Sequence, residues 1–450
     1  DDLVAHSTGT VIVFQLDNMT KIALADPRVN DLFSNEFHAH SAGLVIGQRS
    51  ELDKFLIVHV APFKEPFNLE SEESPSSTKS VVLDEDFDVE SLVEHGIQAS
   101  KLLPGGIQVI GLFIVGDPNK VFGTKASPLK CAAKSINKHY RVNESMNETT
   151  SEMLIVCICE ESSKVTCKLF DVEDHGGSLK NVEWKYCPSS MSWSKLHTTF
   201  ALDFVCPVSI SKTNKPFYNQ LKSCLEPFFT SIVGARFLLN NVIRLNEDRL
   251  VSKHETDHLF SIDLFPDMVL PEDENVISIV DSSTMLKIQG TIYSIGYVHP
   301  KASVEFAVKV IKNDICRSLL DRFELHCDSI VNDDNKALVL LHEPPRRVLA
   351  PLTDSDIFVG DYLFPGEEDS VCLTNLEHIL NLEIGGEDLV SYREYFIDKE
   401  EEQLVCEENA SRSESPYKGE LCQKSRQNQF FIAGAVAFLA AILYNYFNRL

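Results

Sequence analysis

Two apolar runs, AGLVIGQ (residues 42–48) and FLIVHVAP (55–62), flank the polar stretch RSELDK. Short β-rich runs around a polar break predict strand, turn, strand. Residues 64–87 are acidic and Ser-rich and contain Pro66 and Pro75, which predicts a surface loop. Asp88 is placed to cap a helix running to Leu103, with Val89, Leu92, Val93 and Ile97 on one face and Pro104-Gly105-Gly106 as its stop. The unbroken apolar run Ile107–Val115 predicts a buried strand. A helix around Leu129–His139 follows, then strands near Met153–Cys159 and Lys164–Asp171, then an irregular stretch between Trp184 and Trp193. Residues 245–275 are polar and predict a long loop or domain joint. Strands are expected at Val276–Val280 and Met285–Val298. An amphipathic helix is expected over Val304–Leu325, where Ala307, Ile311, Ile315, Leu319 and Phe323 recur every four residues. No internal repeat stands out.

The C-terminus departs from this pattern. Phe430–Phe447 reads FFIAGAVAFLAAILYNYF. As a helix it would be about 27 Å long, close to the hydrocarbon thickness of the endoplasmic reticulum bilayer, roughly 27 Å. Phe430, Ile432, Phe438, Leu439, Ile442, Leu443, Tyr444 and Phe447 would meet lipid, and Lys424 and Arg426 flank the upstream side. The first apolar run, Val11–Phe14, is too short for a signal-peptide core. The expectation is a tail anchor in the endoplasmic reticulum membrane with the bulk of the chain cytosolic. The acidic stretch before it, residues 366–429, reads beyond Lys399 as a solvated tether.

Composition narrows the function. Forty-one Lys+Arg against 67 Asp+Glu give a net charge of −26. Such a surface repels phosphate backbones, so no nucleic-acid partner is expected. The 44% hydrophobic content excludes disorder over the whole length. Twelve cysteines is ordinary usage, and Cys157 and Cys159 read as small buried hydrophobes on one strand face.

One catalytic motif matches. His254, Glu255 and His258 fit H-E-x-x-H, in which two histidines on one helical face hold zinc and the glutamate acts as base. Arg249, Lys253, Asp257 and Asp263 crowd the segment, and neither Glu272 nor Glu274 is singled out as a third ligand. The match reads as chance in an exposed loop. His38 and His40 form an H-x-H pair without an evident carboxylate partner. No nucleophile elbow, phosphate loop or dinucleotide fingerprint occurs. A cysteine nucleophile stays open, because its partners are adjacent only in space.

SAGLVIGQ (Ser41–Gln48), the helix DVESLVEHGIQASK and LLPGGIQVIGLFIV (Leu102–Val115) resemble the Odr-four-like family of tail-anchored proteins. The resemblance continues through KSIN (Lys134–Asn137), EWKY around Trp184, VIKNDI in the helix after Ser303, RRVLAPL (Arg346–Leu352) and the terminal apolar span. The first domain also resembles an MPN domain, the fold of the JAMM metalloproteases. Gly43–Gly47 matches its G-L-x-x-G strand, and Gly111-Leu112-Phe113 matches the segment before its metal-binding H-x-H. On that alignment the catalytic glutamate falls at His40 and the two metal histidines at Ile114 and Gly116. The serine and aspartate fall at Thr124 and Ser127. Ile and Gly cannot ligate zinc, so the resemblance implies a pseudoenzyme without cofactor or metal.

The fold expected is mixed α/β (α+β). It has an MPN-like domain (1–145), a second α+β region (150–365), an acidic region and tether (366–429) and a transmembrane helix (430–447). The resemblance implies a non-catalytic adaptor that recruits or stabilises the protease specific for the ubiquitin-fold modifier. It also implies an accessory factor for folding and trafficking of odorant and other multi-pass receptors. A zinc or thiol hydrolase is the rival from another class.

Overall fold

The computed structural model describes residues 21–394 apart from 36–40, 52, 64–88, 124–125, 141–150, 175–177, 188–191, 210–215, 252–257, 267–281, 332–342, 353–354 and 392. Several expectations fall outside these residues: the loop 64–87, His38, His40, Thr124, His254, Glu255, the strand Val276–Val280, the tether and the apolar span. No helix among the described residues is long and apolar enough to cross a membrane.

The expected strand–turn–strand is present as β2 (Ala42–Arg49) and β3 (Lys54–Pro62). They join β1 (Ile22–Ala25), β4 (Gln108–Val115), β5 (Glu152–Ile158), β6 (Val165–Asp171) and β7 (Lys180–Tyr186) in a closed barrel. The order is β1-β3-β2-β4-β5-β6-β7, and β7 returns to pair with β1. The sheet therefore runs past the boundary expected at 145–150, because β4 pairs in parallel with β5. Trp184, expected beside an irregular stretch, lies within β7.

Apolar residues from all seven strands, among them Phe55, Ile57, Phe113 and Leu154, fill the barrel. Leu44, Ile46, Leu112 and Ile114 from the same strands pack outward into a second core. That core includes α2 (Val89–Leu102) and α4 (Ala126–Tyr140). Burial on both faces explains why β2, β3 and β4 read as unbroken apolar runs. A bulge sets the two faces of β4. Val45 lies opposite Gly111 but Ile46 lies opposite Val109, so Ile110 is an extra residue. Ile110 and Phe113 therefore both face inward, while Val109 and Leu112 face outward.

Helix α2 is turned from its expected face. Leu92, His95, Gly96, Ala99 and Ser100 are buried, and Val93 and Ile97 only partly so. The absence of a side chain at Gly96 admits Ile136 of α4, whose Cδ1 would lie 2.4 Å from a Cβ there.

A second sheet has the order β11-β8-β10-β9. Its strands are β8 (Ser194–Ser209), β9 (Arg236–Leu239), β10 (Leu259–Phe265) and β11 (Ser282–Val298). Strand β10 corrects the reading of 245–275 as loop throughout. Helices α5 (Phe217–Gly234) and α6 (Val304–Val331) pack against this sheet. Phe228 of α5 stacks on Phe204 of β8 with ring centroids 4.8 Å apart. The five-residue α3 (Pro118–Phe122) is capped by Asp117, and α1 (Pro27–Asn35) sends Val29 and Phe33 into the barrel core.

The acidic stretch after residue 366 is folded in part, ahead of the tether expected beyond Lys399. It contains α7 (Asp369–Leu380), with Cys372, Leu376 and Leu380 buried. Two histidines hold the C-terminal end of this helix. His59 Nε2 lies 2.7 Å from the Leu380 carbonyl and His95 Nε2 lies 2.8 Å from that of Ile379. Carbonyls at a helix end lack intrahelical donors, and the imidazole N–H groups supply them. Burial lowers the His59 pKa to about 4, so it sits there neutral.

The two sheets are spliced at Pro104-Gly105-Gly106. Gly105 donates to Ile295 O and accepts from Tyr297 N, both at 2.9 Å. The buried Gln48 amide donates to Gly106 O and Tyr297 O at 2.8 Å each, and its oxygen accepts from His299 N at 3.2 Å. Gly106 has φ +79°, and a Cβ there would lie 2.2 Å from Tyr297 O. The motif expected to stop a helix thus also joins barrel to sheet. Gly106→Ala is expected to cost about 1–3 kcal/mol, measured by urea unfolding; an unchanged midpoint would contradict the splice.

The remaining pair, β12 (Arg346–Pro351) and β13 (Phe358–Leu363), is antiparallel and packs over the outer core. The expected class, mixed α and β, is what the described residues form.

Candidate functional site

The positions that the MPN resemblance assigns to metal lie at the end of β4. Ala42 pairs with Ile114, Ser41 O accepts from Val115 N at 2.8 Å, and Ile158 O accepts from Gly116 N at 2.9 Å. The start of β2 and the end of β4 therefore meet there. Ile114 is 0% exposed and belongs to the outer core. Gly116 is half-buried with open space where a Cβ would stand. Ser127 is exposed on the first turn of α4, and His40 and Thr124 are outside the described residues. A buried aliphatic side chain and a hydrogen offer no lone pair to zinc. Among the described residues no group of three or more His, Cys, Asp or Glu could hold a metal ion.

Cys157 lies beside this end, its thiol 3.5 Å from Gly116 O. Burial pushes its pKa up to about 12, so it is a neutral thiol and a poor nucleophile. Strand β5 ends at Ile158, so Cys159 leaves the strand and is only half-buried. Hydrogen bonding to Ser162 lowers its pKa. The two cysteines do not share a buried face.

His258 immediately precedes β10 and is exposed, and its carbonyl accepts from Lys195 N. It stands at the start of a strand rather than on a helical turn.

The densest polar cluster was not legible in the sequence. Asp314 of α6, wholly buried, accepts from Ser294 Oγ and Arg347 Nη1, both at 2.7 Å. Arg347 also donates through Nη2 to Leu103 O. Arg322 grips the Glu394 carboxylate with two bonds of 2.7 Å. Glu394 further accepts from Arg347 N at 2.7 Å and Tyr293 N at 2.9 Å. Ser318 Oγ accepts from Arg322 Nη2 at 3.0 Å and Tyr362 OH at 3.1 Å. Burial opposes the charge on both arginines, and the facing carboxylates outweigh it, raising both pKa values. Arg317 also faces Asp314, at 3.5 Å. The cluster is a clamp joining the α2–β4 bend, β11, α6, β12 and the segment at Glu394. Asp321, two turns along α6 from Asp314, is buried with Oδ2 unbonded among the described residues, and desolvation pushes its pKa up to about 6.

A family profile described as "Odorant response abnormal 4-like" matches residues 43–391. The chain is 26% identical to "Protein odr-4 homolog" of Gallus gallus, over 92% of this chain and 96% of that protein. It is also 26% identical to the Homo sapiens protein of the same description, over 96% of this chain and 100% of that one. Among solved structures it resembles UfSP from C. elegans at 10% identity and a TM-score of 0.37, over 80% of this chain and 56% of that one.

Proposed function

The chain belongs to the ODR4-like family, and on that premise we propose that it is a non-catalytic adaptor at the endoplasmic reticulum membrane. In this reading it recruits or stabilises the protease specific for the ubiquitin-fold modifier. The region around β2–β4 is a degenerate MPN-like unit, and the apolar run Phe430–Phe447 is its tail anchor. The supporting observation is Ile114, sealed in the core at the position where an active relative would present a zinc ligand. Without metal no water is activated, and what such a unit retains is surface.

Affinity purification of the full chain from detergent-solubilised membranes, read by mass spectrometry, tests the proposal. Near-stoichiometric recovery of the protease is the expected result. Recovery of multi-pass receptors without the protease would reject it.

That second outcome is the alternative reading, an accessory factor for folding and trafficking of odorant and other multi-pass receptors. The family's description by an abnormal odorant response favours it. The two readings differ in where the contacts lie. An adaptor binds through its folded body, whereas receptor handling needs the membrane span.

A further inference from the structure

The second sheet ends at β9, a four-residue edge strand. The edge opens on a groove of about 910 Å³ between α5, α6 and the segment after β9. Its apolar lining includes Phe237, Ile243 and Phe265. Ile243 is 80% exposed and Phe265 52%, and the neighbours Val242 and Leu245 are 56% and 66% exposed. Three aliphatic side chains within four residues, all turned to solvent, form the kind of patch that marks an interaction site.

The groove is basic in an acidic chain. Arg236, Arg244, Lys309 and Lys312 line it, with Glu305 as the one carboxylate among the lining residues. The chain as a whole carries −26. Lys312 is held in the wall by donating to Val233 O at 2.9 Å and Ala235 O at 2.6 Å. Desolvation lowers the pKa of both Lys309 and Lys312.

The backbone adds a third element. Asn240 N donates to Ser261 O at 2.8 Å. In the β9–β10 register, Leu238 and Arg236 then also face β10, while Leu239 and Phe237 turn away. Leu239 is closed by two 2.9 Å bonds with Val242. Phe237 directs its N–H and C=O outward, where it lines the groove.

We propose that this groove docks an extended, acidic segment of a partner protein. A bulky apolar side chain of that segment would sit beside Phe237 and Ile243, and its neighbour, on the other face of the sheet, beside Phe265. Its carboxylates would face Lys309 and Lys312 on the helix side and Arg236 on the other, and its backbone would pair with Phe237. Edge pairing supplies affinity and side-chain pockets supply specificity in this mode of recognition. The assignment stands on the groove alone and does not depend on which partner the adaptor reading names.

The test is to pan a phage-displayed random dodecapeptide library on the full chain in detergent, with subtraction on Ile243→Asp. Ile243 is exposed, so the fold should tolerate the change; Arg236→Glu, also at an exposed position, is the second variant. Enriched peptides should carry several Asp or Glu around an aromatic or aliphatic residue. The best of them, made synthetically, should bind both variants about tenfold or more weakly and weaken with added salt. No enrichment above the Ile243→Asp background overturns the proposal, as do neutral or basic consensus sequences, or equal affinity for wild type and both variants. Dissociation of a dimer of this chain by Ile243→Asp, without peptide enrichment, overturns it in favour of a self-interface.

Discussion

Glu394→Ala is expected to destabilise the folded body by about 3–5 kcal/mol, the cost of leaving a buried charge without its partner. Arg322 is 5% exposed at its side chain and holds Glu394 through two charge-assisted bonds. Removing the carboxylate strands that guanidinium and also frees two backbone donors, Arg347 N and Tyr293 N. Urea unfolding of wild type and variant reads the difference. Because the arginine causes most of the damage, Arg322→Met/Glu394→Ala should recover a large part of it. A loss below about 0.5 kcal/mol in the single variant, the range of ordinary surface changes, would show that Glu394 is not clamped.

Asp321→Asn is expected to act in the opposite direction. The carboxylate is buried, and desolvation raises its pKa from 3.8 to about 6, against the opposing pull of Arg317, Lys101 and Arg347 and with a small added push from Glu324. A raised acid favours the folded state when protonated. Its contribution is fully present below 3.8 and is lost as pH rises through about 6. At 1.36 kcal/mol per unit the charged form costs up to about 3 kcal/mol at neutral pH. The amide is also a buried polar group, so the gain should be about 1–3 kcal/mol. Denaturant midpoints between pH 4 and pH 8 should lie close for the two proteins at the acid end, separate as pH rises to about 6 and stay a constant distance apart above it. A variant that is equally or less stable across that range would refute the assignment.

These two residues also mark where sequence reading stops. The face of α6 carrying Ala307, Ile311, Ile315 and Leu319 was legible from its spacing, and all four are buried. Asp314, Ser318 and Arg322 stand seven residues after Ala307, Ile311 and Ile315, so this polar part of α6 shares the apolar face and, with Asp321, is buried too. Its partners Arg347 and Glu394 lie 33 and 72 residues away from Asp314 and Arg322, respectively, beyond the reach of local periodicity. Glu394 sits in so acidic a stretch that solvation is the natural inference. Helix α5 was missed because Pro227 interrupts its pattern. Strand β8 was missed although Leu196, Phe200, Leu202 and Phe204 alternate along it with polar residues. Ile114 falls near the end of the apolar run Ile107–Val115 that predicts β4, and the structure adds that it is sealed. Nothing in Val242-Ile243-Arg244-Leu245 announces exposure, because that depends on the neighbours α5, α6 and β10 leave beside it.

The adaptor reading is tested most directly by measuring the modifier-specific protease bound per chain for the full protein and for a chain ending at Gln429. The account predicts equal stoichiometry, with the shorter chain lost from the membrane fraction. Loss of the protease together with Phe430–Leu450 would contradict it, since the contact would then lie in the membrane span rather than in the folded body.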